Sequence, residues 1–416
     1  MTLQRAVNAF PAERAREVAK NFDLARLPPD FYDDPYPYYH ALREHEPVRA
    51  MPDGSWFLTR YDDIVPVYRD PKAFSSDKKR EFTPKYGESP LLEHHTTSLV
   101  FNDPPLHTRV RRAIVGAISQ RHIAAMEPAL VGLVDRLLDR MAQEREVDLI
   151  ERFAGAIPVE IIGNLLRVPH EDRGPLRGWS LAILSALEPV LTPERAQAGN
   201  RAVVEFLAYL RGLVADRRTH PGDADTDVLT RLLQGEPDEP PLTEKELLHQ
   251  CVFLLNAGHE TTTNLIGNAL HALAQWPTEK ARLLADPALI TCAVEEFLRF
   301  ESSNQLGNRI STREVMVGGV TLPASSRITL CIGAANRDPA QFADPDRLDI
   351  TREPNRHIAF GFGIHTCAGL NLARLEGRVA IGRFLSRFPH YELAGDPVRG
   401  GRARFRGFAR LPVRVA

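Results

Sequence analysis

The stretch Phe360-Gly361-Phe362-Gly363-Ile364-His365-Thr366-Cys367-Ala368-Gly369 constrains this chain more than any other. A glycine-rich turn carries one cysteine, and an apolar, helix-favouring run, Leu370 to Phe388, follows at once. A cysteine placed where a turn becomes a helix sits among unpaired backbone N–H groups at the positive end of the helix dipole. Both favour thiolate over thiol. The glycines let a flat ligand approach the main chain closely. Such a thiolate suits a soft or redox-active metal, haem iron included. An arbitrary cysteine behind a glycine turn is more simply a buried structural residue, so other segments must decide.

The first of these is a long helix. Thr243-Glu244-Lys245-Glu246 is a capping box, and the pattern it opens runs to Trp276, with Pro277 as the stop. At ~1.5 Å per residue that is roughly 50 Å, enough to cross a domain. Leu247, Leu248, Val252, Phe253, Leu254 and Leu255 make its first half apolar, but Gln250, Asn256, His259 and Glu260 interrupt the run. It therefore reads as a buried central helix and not a membrane span. In its middle, Ala257-Gly258-His259-Glu260-Thr261-Thr262 places residues that cost ~0.5–1 kcal/mol each in a helix interior. A local defect is expected, with the Thr261 hydroxyl bonding back to the Ala257 carbonyl and bending the helix.

The cysteine stretch, F-x-x-G-x-H-x-C-x-G with Phe360, Gly363, His365, Cys367 and Gly369 in place, resembles the haem-binding loop of the cytochrome P-450 superfamily. The helix centre is similar to that family's [AG]-G-x-[DE]-T-[TS]. The resemblance implies a mainly α fold with small β-sheets, spanning 1–416 as a single haem domain, with 1–30 as a loosely ordered arm. It makes Cys367 the axial ligand of haem b and Phe360 its shield. Gly361, Gly369 and Ala257 would lie against the haem, and Glu260 and Thr261 would deliver protons. Asp103-Pro104-Pro105 signals a helix start. In the segment D-P-P-L-H-T-R-V-R-R, His107 and Arg111 share a helical face and would bind propionates with Arg309 and His365. Glu296 and Arg299 form an E-x-x-R pair whose position before the cysteine implies a buried network completed by Arg347 or Arg352.

The activity implied is that of a monooxygenase. It would take dioxygen and two electrons, ultimately from NAD(P)H through a ferredoxin and its reductase or a flavodoxin, and hydroxylate or O-dealkylate an organic molecule of small to medium size. A peroxide-driven peroxygenase and a non-catalytic haem-thiolate gas sensor are the alternatives. The first typically lacks the acid–alcohol pair kept here as Glu260-Thr261, and the second normally carries an output domain. By the same resemblance Leu99, Val100, Phe253, Asn304, Gln305 and Phe408 wall the substrate pocket. The amides there, with Thr96-Thr97-Ser98 and the basic group at 78–80, favour a ligand with a polar handle.

Elsewhere the chain gives class and boundaries. A formal net charge of −2, with 25% charged residues, gives no global field for nucleic acid. Arg109, Arg112, Arg374 and Arg378 suggest a local basic face for an acidic electron donor. The four cysteines are scattered without pairing, as in a reducing cytoplasm. The first 24 residues hold no continuous apolar run, so a soluble bacterial monomer without membrane anchor is expected. Residues 28–40 read as irregular, Trp56 to Tyr61 as a strand, 75–100 as a long functional loop, and 120–235 as helical with acidic turns near 222–226. Val317-Gly318-Gly319-Val320 reads as a hairpin turn, and Gly235 to Pro241 as a loop.

Overall fold

The computed structural model describes residues 9–224, 227–235 and 240–415. Parts of the expected acidic turn near 222–226 and of the loop Gly235 to Pro241 lie outside the described residues. Helices dominate, and four small sheets complete the fold.

The helix Glu244–Gln275 is the spine. Thr243 accepts from the Glu246 backbone N–H, and the Glu246 carboxylate accepts from the Thr243 N–H, closing the predicted capping box. Its apolar residues face inward on nearly every side because Ala156–Leu165, Leu176–Ser185, Pro193–Thr219 and Leu370–Arg387 all pack against it. Each fully buried leucine or isoleucine among them, such as Leu255, Ile266 and Leu270, contributes about 1.5–3 kcal/mol of burial. Residues 257–263 stay helical without a break, and the expected back-bond forms. Thr261 Oγ1 donates to the Ala257 carbonyl at 2.8 Å, and Thr263 Oγ1 to that of His259 at 2.9 Å.

The largest sheet has the strand order Val48–Ala50, Trp56–Leu58, Arg327–Cys331, Leu306–Ser311, Phe74–Ser75; only the second and third are parallel. The hairpin Val315–Val317 and Val320–Leu322 turns at Gly318 and Gly319, both at positive φ, as two central glycines allow.

Four expectations need correction. The arm before residue 30 is not loose in its described part: Ala12–Asn21 is a helix whose Ala15 and Ala19 are buried, and Phe22 packs on Phe31 and Phe57. Residues 28–40 form two helices, Pro29–Asp33 and Tyr36–His45, because Phe31, Tyr36, Tyr38 and Tyr39 make a buried edge-to-face aromatic cluster. The supposed long loop holds the helices Lys79–Tyr86 and Pro90–Thr97, the second capped by Ser89. Asp103 does not cap the helix Leu106–Ala117 with its side chain. Its carboxylate is engaged by Ser75 and Ser76, and its carbonyl accepts the His107 N–H at 3.0 Å.

Candidate active site

Five residues of the spine, Phe253, Leu254, Ala257, Gly258 and Thr261, fall on one helical face and are only partly covered by protein. They look onto a cavity of about 340 Å³, within the common range for ligand pockets. The opposite wall is the cysteine stretch, with Phe360, Gly361, His365, Cys367 and Gly369 all lining it. Leu99, Val100, Asn304, Arg111 and Arg309 close the sides.

Local bonds hold the cysteine turn. Cys367 N–H donates to the Phe360 carbonyl at 2.9 Å, Gly361 N–H to that of Ile358 at 2.9 Å, and Thr366 Oγ1 to that of Gly363 at 2.8 Å. Gly363 has φ +72°, and a Cβ there would meet the Tyr68 carbonyl oxygen at 2.3 Å, so no other residue fits. Cys367 sits just ahead of the helix Leu370–Arg387, as the sequence implies. Burial pushes its thiol up, against the opposing pull of the Gly369 N–H, Arg111 and Arg374; its open side faces the cavity and not bulk water. Arg374 lies over the Phe360 ring at 5.0 Å and pairs with Glu295.

Beneath the turn lies the carboxylate network. Glu296 and Arg299 are fully buried and joined by two 2.8 Å bonds. Arg352 Nε donates to both Glu296 oxygens at 3.2 Å, whereas Arg347 offers only its carbonyl to Arg299. Arg352 is therefore the third member and Arg347 is not. Arg299 also donates to the Asn336 carbonyl, Asn336 Oδ1 accepts the Ile358 N–H, and Ile358 accepts that of Gly361. One chain of bonds thus leads from the network into the cysteine turn.

A haem is testable against the residues at hand. The rings of His107 and His365 meet at a tilt of 49° with centroids 4.1 Å apart, and both ring nitrogens of His107 and Nε2 of His365 are buried without a partner. Burial holds both imidazoles below their ordinary value. Unpaired buried donors cost about 1–3 kcal/mol each. With Arg309, held over Tyr68 at 4.8 Å, and Arg111, they make an anion-seeking edge on a slot whose floor is a cysteine. That donor set fits a flat metal macrocycle with acidic side groups. His107 reaches the cavity only through His365.

The sequence profile described as Cytochrome P450 matches residues 180–287 and 284–398. The chain belongs to the cytochrome P450 family. It is 40% identical over 410 residues to cytochrome P450 107B1 of Saccharopolyspora erythraea, which covers 94% of this chain and 98% of that protein. Vitamin D(3) 25-hydroxylase of Pseudonocardia autotrophica is 39% identical over 391 residues, covering 92% and 94%. Among solved structures, P450BioI in complex with hexadec-9Z-enoic acid ligated acyl carrier protein superposes with a TM-score of 0.88 at 34% identity, covering 93% and 99%. Relatives at this identity are named as hydroxylases and monooxygenases; the chain is a P450 monooxygenase, and haem is the family's cofactor.

In this P450 two expected pocket residues lie elsewhere. Gln305 turns inward, its amide donating to the Ser302 carbonyl at 2.7 Å, and Phe408 packs on His271 and under Arg399. The basic group is also absent from the wall, since Lys78 is buried against Glu81 at 2.8 Å. Glu260 does not line the cavity: its carboxylate meets Arg402 at 2.7 Å, and burial raises its carboxyl to about 7, opposed by Arg402. The proximal basic face is thinner than expected, because Arg109 pairs with Glu246 and Arg374 with Glu295. His94 and His95 come from the stretch 75–100 read as functional, while the residues not foreseen at the site are Asn308, Arg402 and Arg404. The run R-G-G-R-A-R-F-R at 399–406 was the available signal for the last two.

Proposed function

We propose that the Cys367 thiolate would hold a haem b and that the enzyme couples dioxygen to electrons from separate redox partners, an NAD(P)H-fed ferredoxin system or a flavodoxin. The observation that carries this is that the cysteine turn and the Thr261 face of the spine look onto one cavity from opposite sides. His365, Arg309 and Arg111 would hold the propionates, with His107 backing His365 and Phe360 shielding the sulfur. When bound, the haem supplies the redox chemistry that inserts one atom of dioxygen into a substrate C–H bond and reduces the other to water.

The chain's own part is proton management and positioning. Thr261 Oγ1 spends its hydrogen on the Ala257 carbonyl, which leaves its oxygen to accept from a water in the cavity. Ser303 Oγ donates to the Thr261 carbonyl at 2.8 Å and fixes that turn. Glu260, raised to about 7, exchanges a proton near neutrality, and Arg402 holds its carboxylate in place. Leu99, Val100, Phe253 and Phe405 exclude water around the substrate body. Retention of Glu260 and Thr261 favours dioxygen over peroxide as the oxidant. No helix among the described residues is long and apolar enough to cross a membrane.

The test is spectroscopic. Ferrous enzyme with CO should show the strongly red-shifted Soret band of a thiolate-ligated haem, and Cys367→His should abolish it while Cys251, Cys292 and Cys331 substitutions leave it. The opposite pattern removes the assignment.

A further inference from the structure

The cavity wall is mostly apolar, but at one end the C-terminal segment brings in Arg404 beside Ser303, Asn304 and Asn308. Arg404 donates from Nε to the Leu187 carbonyl at 3.2 Å, from Nη1 to that of Leu306 at 2.7 Å, and from Nη2 to the Asn308 side chain. All three acceptors are neutral, and no carboxylate oxygen among the described residues bonds this guanidinium. A guanidinium has five N–H donors in a planar fork, so donors remain for a ligand.

The surrounding charge is unbalanced. Lys78 and Glu81 neutralise each other. Lys85 donates to the Glu188 backbone carbonyl at 2.8 Å and to no carboxylate among the described residues. Glu81 and Glu188 are the carboxylates whose charge reaches Lys85 and Arg404, and Glu81 is bonded to Lys78; one Glu188 oxygen accepts the Ala403 and Arg404 backbone N–H groups, and the other is buried without a partner. A second observation points the same way. His94 and His95 are each 2% exposed and line the cavity, with Nδ1 of His94 and Nε2 of His95 lacking partners. Burial disfavours the charged form of both imidazoles, and each unpaired ring nitrogen donates or accepts according to its tautomer.

We propose that Arg404 is the anchor for a carboxylate on the substrate, so that this enzyme binds an organic acid with an apolar body in preference to a neutral hydrocarbon, alcohol or amide. The inference rests on the monooxygenase reading above and narrows its substrate class. A carboxylate accepts two parallel N–H bonds from a guanidinium, a charge-assisted geometry that a neutral amide or alcohol of the same shape lacks. A wall built for such a group discriminates strongly against an analogue without it.

The experiment uses haem-loaded full-length enzyme and matched probes: aryl, terpenoid and straight-chain carboxylic acids, each beside its primary amide and alcohol. Binding is read by isothermal calorimetry and by the haem spin-state shift. At least one acid should bind ~10-fold or more tightly than both neutral partners, and Arg404→Gln should remove that advantage, read as the acid-to-amide affinity ratio within each variant. Arg404→Lys should keep part of it. A wild-type panel in which no acid outbinds its amide overturns the proposal, as does an advantage that survives Arg404→Gln. If the Gln variant loses its fold, a crystal structure of the wild-type complex with the tightest acid decides; a carboxylate away from Arg404 overturns the assignment. The ferrous-CO band, recorded on the same samples, separates failure of this proposal from failure of the haem-thiolate reading.

Discussion

Thr261 and Glu260 are neighbours in sequence but face different surroundings, and this decides what each substitution should do. Thr261 lines the cavity, so Thr261→Ala should leave haem and substrate binding intact while diverting reducing equivalents into peroxide; product formed per electron consumed measures it, and unchanged coupling would remove the role. Glu260 faces Arg402. Its carboxyl is raised from 4.5 to about 7 by burial, so the folded protein holds this proton more tightly than the unfolded chain does. The resulting stabilisation is full below the unfolded value and is lost as pH rises through about 7. Glu260→Gln should therefore flatten the fall of the thermal midpoint across that window, and it should also erase any break near 7 in the pH dependence of coupled turnover. A wild-type midpoint that rises from about pH 5 to 8 relative to the Gln variant would contradict the direction of the shift. The cavity-lining turn and alcohol were legible through the family resemblance that their residue types and spacing carry. Arg402 and Arg404 were not, since they come from an irregular segment about 140 residues away, with no periodicity to place them.

At the level of elements, the same contrast separates local codes from tertiary ones. The capping box at Thr243 and the Gly318-Gly319 turn were readable because their hydrogen bonds close within a few residues. The helices at 29–45 were misread because Pro and Tyr weaken local propensity, and ring contacts between the two helices and with Phe22 decide the outcome. The two kinds of feature differ in magnitude. Thr243→Ala removes one cap bond and should cost about 1 kcal/mol. Arg352→Ala strips a buried carboxylate of one of its two guanidinium partners and should cost about 3–5 kcal/mol, with loss of haem as Glu296 and Arg299 shift under the cysteine turn. Arg347→Ala, whose side chain lies outside the network, should do neither; it offers the network only its carbonyl. Chemical denaturation with haem absorbance as a second probe distinguishes these, and an Arg347 effect as large as that of Arg352 would reverse the assignment.

Over the whole molecule, the near-neutral charge hides how the proximal side is arranged, and this bears on how electrons arrive. Arg374 and Arg378 share a shallow depression with Glu127 and Glu295, so that side is mixed in sign and not uniformly basic. Arg374 is tied to Glu295 by two 2.7 Å bonds and lies over Phe360, whereas Arg378 only rims the depression. The two arginines should therefore separate docking from tuning. With an acidic ferredoxin as donor, Arg378→Gln should slow reduction several-fold at low ionic strength, through the association rate, and leave the ferrous-CO band where it is. Arg374→Gln should slow reduction and also move that band, because it unseats the ring beside Cys367 and removes a charge that favours the thiolate. Raising salt should shrink the Arg378 effect, as expected of a half-buried charge acting across solvent on a docking partner. Stopped-flow reduction across ionic strength reads all three. If wild-type reduction does not slow with salt and Arg378→Gln is silent, the electron donor does not approach this face through charge.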